Sequence, residues 1–118
     1  MKFSPRLENQ MEQLQKVEEQ LQVLLTQKYQ LEAQLKDVER TLEYLEGLPD
    51  DRDIYRNIGS LLIKEDSREK VMKDLREKKE SYELRLKSFD RQEKSLKDSY
   101  DKLKNNITEA LQTQQDGV

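Results

Sequence analysis

The stretch Gly47-Leu48-Pro49-Asp50-Asp51-Arg52-Asp53-Ile54-Tyr55-Arg56-Asn57-Ile58-Gly59-Ser60-Leu61-Leu62-Ile63-Lys64 interrupts an otherwise helical chain, and its reading decides the fold. Gly47 suits the left-handed conformation that closes a helix, and Pro49 prevents the helix from resuming. The period then changes. Asp53 to Ile58 and Leu61 to Lys64 are short runs of β-branched or bulky residues around Gly59-Ser60. A Gly at the first turn position predicts a two-residue type II′ hairpin. That turn pairs Ile58 with Leu61, Asn57 with Leu62 and Arg56 with Ile63. One face then carries Ile54, Ile58, Leu61 and Ile63, and the other carries Tyr55 and Leu62 among polar groups.

Working outward, a stripe with alternating steps of three and four lies on each side. The first reads Leu7, Gln10, Leu14, Val17, Leu21, Leu24, Lys28, Leu31, Leu35, Val38, Leu42, Leu45, and ten of these twelve are apolar. The second reads Met72, Leu75, Lys79, Tyr82, Leu86, Phe89, Glu93, Leu96, Tyr100, Leu103, Ile107, Ala110, again ten of twelve counting Tyr and Ala. A 3.5-residue period held this long specifies a coiled-coil seam. Two seams with a reversal between them specify a mainly α fold: a long antiparallel coiled-coil helical hairpin with a short β-hairpin insert at the bend.

Ser4-Pro5 predicts the start of the first helix, with Ser as N-cap and Pro at the first helical position. This helix should run from about Pro5 to Glu46. Asp66 is the expected N-cap of the second, with Glu69 at capping-box spacing. The second helix should run from about Ser67 to Gln114, followed by a polar, fraying end. The whole chain, residues 1–118, then forms one domain, with the hairpin element over residues 53–65.

The charged fraction of 40% against a hydrophobic fraction of 33% is too polar for a thick core and suits narrow helices with a thin apolar stripe. Disorder also has high charge, but unbroken heptads argue against it. Net charge is −3, with signs mixed and no basic block, so neither nucleic acid nor a membrane surface is an expected partner. The densest basic run, Arg76, Lys78 and Lys79, also holds Glu77 and Glu80 and reads as a solvated helix face. The chain contains no Cys and no His, which excludes thiol nucleophiles, common zinc sites and Ser-His triads. No phosphate-binding loop motif is present, and the acidic run Asp50, Asp51, Asp53 lacks the spacing of a calcium loop. No cofactor or enzymatic role is implied. The absence of an apolar run of ~18 residues or of a signal-like start points to a soluble protein of the cytoplasm.

Two surfaces stand out. An isolated two-stranded hairpin is marginal in water, because it leaves an apolar face and unpaired edges. Each of its aliphatic side chains would gain roughly 1.5–3 kcal/mol on burial, given something to bury it against. The insert therefore predicts partner subunits; the alternative is that it folds back on its own helices. The other surface is where the chain ends meet. It gathers Met1, Phe3, Leu7, Met11 and Leu14 with Ile107, Ala110 and Leu111, either as an interaction patch or as ordinary end-of-coil packing. Within the seams, Lys28, Lys79 and Glu93 are charged. If facing positions add to about 117, Lys28 faces Phe89 and Glu93 lies about one turn away. A Lys28–Glu93 contact would set the register of the two helices; the alternative is a Lys that reaches to solvent.

The chain resembles the beta-type subunits of prefoldin, the archaeal-type hexameric chaperone, over about residues 5 to 112. The resemblance rests on Leu48-Pro49-Asp50-Asp51 followed by Ile54-Tyr55-Arg56, and on Ile58-Gly59-Ser60-Leu61-Leu62-Ile63-Lys64. Gln27-Lys28 and Arg91-Gln92-Glu93 add to it. An alpha-type subunit carries a longer insert with two hairpins, whereas some 20 residues separate the helices here. The resemblance implies a hexamer of two alpha-type and four beta-type subunits whose hairpins join in a β platform. It also implies ATP-independent capture of unfolded proteins at the coiled-coil tips and their transfer to a group II chaperonin. Carried onto this sequence, the assembly residues are Ile54, Tyr55, Ile58, Leu61, Leu62 and Ile63. The client-binding residues are Phe3, Leu7, Met11, Leu14, Ile107 and Leu111. The rival from another class is a structural coiled-coil spacer or tether, oligomerised through the hairpin.

Overall fold

The computed structural model describes residues 3–116. The order of elements is α1 (Pro5–Gly47), β1 (Ile54–Ile58), β2 (Leu61–Glu65) and α2 (Arg68–Asp116). Two long helices with an antiparallel hairpin between them in sequence are the fold class that the heptads predict. The described residues fall into two compact units, 3–29 with 87–116, and Gln30–Leu86.

Neither helix interior contains Gly or Pro before its last residue, and both are rich in the straight-chain residues that lose least rotamer freedom in a helix. Ser4 caps α1 as expected. Its hydroxyl accepts a hydrogen bond from the Leu7 backbone N–H at 3.1 Å, and its carbonyl accepts from the Glu8 N–H at 3.0 Å. Glu8 and Glu69 place acidic side chains in the first turns, where the helix dipole favours them.

In the unit formed by residues 30–86, Val38, Leu42 and Leu45 of α1 pack with Val71 and Met72 of α2. Leu48, Ile54, Leu75 and Tyr82 close around this cluster. Pairing of Leu45 with Met72, and of earlier α1 residues with later α2 ones, makes the two helix segments antiparallel. In the other unit Leu7 and Leu24 of α1 and Ile107 of α2 are buried. All twelve seam positions of each stripe are buried or half-buried, including the charged ones.

Three local details differ from expectation. Gly47 does not take a left-handed conformation; it stays helical, and positive φ occurs only at Gly59 among the described residues. The α1 end is set instead by Pro49, whose ring disfavours the helical conformation at Leu48. A tightened last turn follows, with the Leu48 N–H donating to the Leu45 carbonyl at 3.3 Å. The cap of α2 is Ser67 and not Asp66: its hydroxyl accepts from the Lys70 N–H at 3.2 Å, and its carbonyl from the Val71 N–H. The reason is that β2 runs on through Glu65, held by a 2.7 Å ion pair with Arg56, so the chain needs Asp66 for its bend. The capping box with Glu69 is accordingly replaced by a simple Ser cap. Lastly, α2 continues to Asp116 rather than about Gln114.

The hairpin register is the expected one, with Ile58 opposite Leu61, Asn57 opposite Leu62 and Arg56 opposite Ile63. Gly59 has φ +59° while Ser60 does not, which is the pattern of a type II′ and not a type I′ turn. With its amide nitrogen toward the turn, Asn57 donates to the Leu61 and Gly59 carbonyls at 3.2 Å each.

Because Gly47 is helical and a Cβ there meets nothing within 4 Å, Gly47→Ala should raise stability by about 0.4–1 kcal/mol. Thermal unfolding followed by far-UV circular dichroism measures this. The same change at Gly59 should strain the turn and speed amide exchange across β1 and β2.

Candidate functional site

The hairpin exposes what the sequence singled out. Tyr55, Ile58, Leu61, Leu62 and Ile63 are all exposed, Ile58 at 52% and Leu62 at 72%. The sheet has two strands only, so one edge of each is unpaired within the described chain. Ile54 behaves differently. It is half-buried against the chain's own cluster and anchors the hairpin to the helix pair. The hairpin is therefore not folded back wholesale: one residue docks and five stay open.

Charged contacts hold it in this pose. Arg56 lies on the same face as Ile54 and Ile58 by register. It reaches Glu65 at 2.7 Å across the strands and Asp74 of α2 at 3.5 Å. Arg68 in the first turn of α2 donates to the Pro49 carbonyl at 3.3 Å and to the Asp50 carboxylate at 3.4 Å. Asp50 thus has a structural partner, as part of a turn closed by the Arg52 N–H donating to the Pro49 carbonyl. Sequence reasoning missed these roles of Arg56 and Arg68; a period of two in the hairpin places Arg56 among aliphatic neighbours, which was the available signal.

In the unit of residues 3–29 and 87–116, the expected client-binding residues divide into two kinds. Phe3, Met11 and Leu111 are exposed, Met11 at 41%. Leu14 is half-buried, and Leu7 at 2% and Ile107 at 8% are buried in the seam. The last two are heptad positions, so the facing helix covers them, and they hold the helix ends together. Met1 lies outside the described residues. Heptad geometry places the exposed pair: Met11 and Leu111 each follow a core position by one residue, the e position of their heptads. In antiparallel helices e positions flank the same side of the seam, so Met11 and Leu111 share one side of it, with Lys104 at another e position there. A groove of mixed character lies at this end too, with Leu7 and Ala110 at its floor and Arg6, Gln10, Asn106 and Glu109 around them.

Within the same unit, Lys28 donates to Glu93 at 3.0 Å and to Asp90 at 2.8 Å, and Glu93 accepts in turn from Lys97 at 3.1 Å. The Lys28 side chain is only 20% exposed and that of Glu93 13%. The hydrogen bond to Asp90, then that to Glu93, pushes the Lys28 ammonium above its ordinary value against a smaller opposing effect of burial. The Lys28 and then the Lys97 hydrogen bonds hold Glu93 below the ordinary carboxylate value. Asp90 was not anticipated, although it adjoins Phe89, the residue that faces Lys28 in the expected register. Lys79, the remaining charged core position, lies 4.0 Å from Glu83 on its own helix and reaches outward.

Paired heptad helices with an unpaired, apolar hairpin between them define a coiled-coil subunit with an open sheet. A family model described as prefoldin subunit matches residues 8–114. The chain belongs to the prefoldin subunit family, a family of chaperones. It is similar to beta subunits in particular. Prefoldin subunit beta of Archaeoglobus fulgidus is 39% identical over 110 residues, 93% of this chain and 94% of its own. That of Methanosarcina acetivorans is 44% identical over 107 residues, 91% of each. The crystal structure of the prefoldin beta subunit from Thermococcus strain KS-1 matches with a TM-score of 0.84 and 33% identity, covering 93% of this chain and 96% of that one. No described helix is long and apolar enough to cross a membrane.

The sign of the Lys28 and Glu93 shifts sets a pH window. Glu93, depressed when folded, contributes stability above its ordinary value of 4.5 that is lost as pH falls through its folded value. Lys28, raised when folded, contributes below its ordinary value of 10.5 and loses this as pH rises through its folded value. Lys28→Met should therefore lower the melting temperature at neutral pH, and the gap to wild type should close in acid below about 4.5. A Lys28→Met, Glu93→Leu pair should recover most of the loss, giving a non-additive double-mutant cycle.

Proposed function

We propose that this chain is the beta-type subunit of a cytoplasmic hetero-hexamer of two alpha-type and four beta-type chains. The assembly holds unfolded proteins without ATP and passes them to a group II chaperonin. The observation that carries this reading is the hairpin: five large apolar residues stand in water on a sheet with two open edges. A fold stable on its own seldom leaves both faces of a two-stranded sheet this apolar and uncovered. Strand-edge pairing with sibling hairpins would satisfy the backbone and cover Tyr55, Ile58, Leu61, Leu62 and Ile63 together. The Arg56 and Arg68 contacts support it, since a pre-set hairpin loses less freedom on assembly.

Client holding falls to Phe3, Met11 and Leu111, with Leu14 partly available. Leu7 and Ile107 act beneath them as the support that keeps the helix ends paired. A patch of three apolar side chains binds weakly and releases quickly. Several such patches in one assembly raise the effective concentration, so a client is retained by avidity and let go stepwise without nucleotide. Lys28 and its two carboxylates fix helix register, because a slipped pairing would leave a half-buried charge without its partner.

Two experiments test the reading. Ile58→Asp with Leu61→Asp, mixed with an alpha-type subunit, should lose the hexamer mass in light scattering while keeping its helical circular dichroism; an unchanged mass counts against the assembly role. Phe3→Ser, Met11→Ser and Leu111→Ser together should keep the hexamer but lose most suppression of client aggregation. A spacer or tether would show no suppression in the wild-type assembly either.

A further inference from the structure

We propose that Met11 is a reversible oxidation site, where a peroxide-class oxidant converts the thioether to its sulfoxide and switches off apolar capture at this end of the helices. The switching part rests on the capture role proposed above; the site itself rests on exposure and on sulfur chemistry.

The chain offers an oxidant few targets. It has no Cys and three Met, so the thioethers are its only sulfur groups. Their settings differ sharply where the structure describes them. Met72 is 5% exposed, inside the cluster of Val38, Leu42, Leu45 and Val71, where an oxidant does not reach it. Met11 is 41% exposed, at an e position one residue beyond the seam, and its neighbours Glu8, Glu12 and Gln15 on the outer helix surface are exposed polar groups that keep water at the thioether. Among the described residues, Met11 is thus the accessible methionine, and it stands on the same side of the seam as Leu111.

The step is an oxygen-atom transfer. A sulfur lone pair attacks one peroxide oxygen, the O–O bond breaks, and the departing hydroxide takes up the remaining proton as water. Sulfur loses two electrons and the peroxide gains them. The product replaces a flexible apolar group by a polar, chiral one among the residues proposed for capture. Because Met11 is outside the seam, the oxygen points to solvent and the helix pairing that Leu7 and Ile107 maintain is untouched. The change is therefore one of surface chemistry without unfolding. Methionine sulfoxide reductase with a dithiol reductant reverses it.

The test uses the assembled complex with its alpha-type partner, titrated with hydrogen peroxide. Peptide mapping by mass spectrometry should show one oxygen on the Met11 peptide, resolved from that of Met1, while Met72 stays unmodified. Suppression of client aggregation should fall several-fold, with unchanged complex mass and helicity. Sulfoxide reductase with dithiothreitol should restore it. Met11→Leu, which keeps an apolar side chain without the thioether, should lose no suppression at the same dose relative to its own untreated activity. Equal oxidation of Met11 and Met72, full suppression after Met11 oxidation, or equal peroxide sensitivity of Met11→Leu would each overturn the proposal. If the untreated assembly suppresses no aggregation, the capture reading and the switch fall together. The order of oxidation in the peptide map then decides the site alone.

Discussion

A heptad stripe is two residues wide, and one facing helix is enough to cover it. That constraint governs the rest of the structure. All twelve core positions of each stripe are buried or half-buried, so the apolar stripes of α1 and α2 are consumed by their pairing. Nothing remains of them to cover the hairpin beyond the cluster that accepts Ile54. Five apolar hairpin residues consequently stand in water, and the same economy leaves Phe3, Met11 and Leu111 open in the other unit. A sequence that is 40% charged has no second core to offer them. Exposure of this kind is a consequence of helix geometry, and a chaperone family is one in which it has a use.

The polar members of the seam follow a different rule. Lys28 sits where an aliphatic residue would pack, and its ammonium is matched by two carboxylates from the facing helix at 2.8 and 3.0 Å. Such a half-exposed network adds little to stability after desolvation. In the pairing observed, Asp90 and Glu93 both come within reach of the one ammonium. Arg56 plays the equivalent part in the hairpin, tying the strands to each other through Glu65 and to α2 through Asp74. In both places a long basic side chain passes among apolar neighbours and finds its carboxylate at the rim.

Much of this was legible in the chain itself, because periodicity and turn chemistry are local. The heptads placed the seam residues apart from Val71, which joins the cluster from one position outside the stripe, and Gly59-Ser60 placed the hairpin pairs. The candidate site was legible only in part. Leu7 and Ile107 look as apolar as Met11 and Leu111 in a residue count, yet the first two are buried and the last two are not. The heptad stripe carries the distinction, since Leu7 and Ile107 are on it and Met11 and Leu111 are one residue off it, but only the structure shows that the pairing persists to the helix ends. Asp90 was overlooked for a related reason: it is off the seam by one position, and only the length and reach of the Lys28 side chain bring it into contact.

The linear order of residues decided the two helices, their interruption at Pro49 and the pairing within the hairpin, since each follows from interactions between near neighbours or from a strict repeat. Packing in three dimensions decided the remainder. It kept Gly47 helical, moved the α2 cap from Asp66 to Ser67, drew Ile54 inward and gave Lys28 two partners. These outcomes turn on a residue or two of register between elements far apart in the chain, where several local choices are nearly equal in energy and long-range contacts select among them.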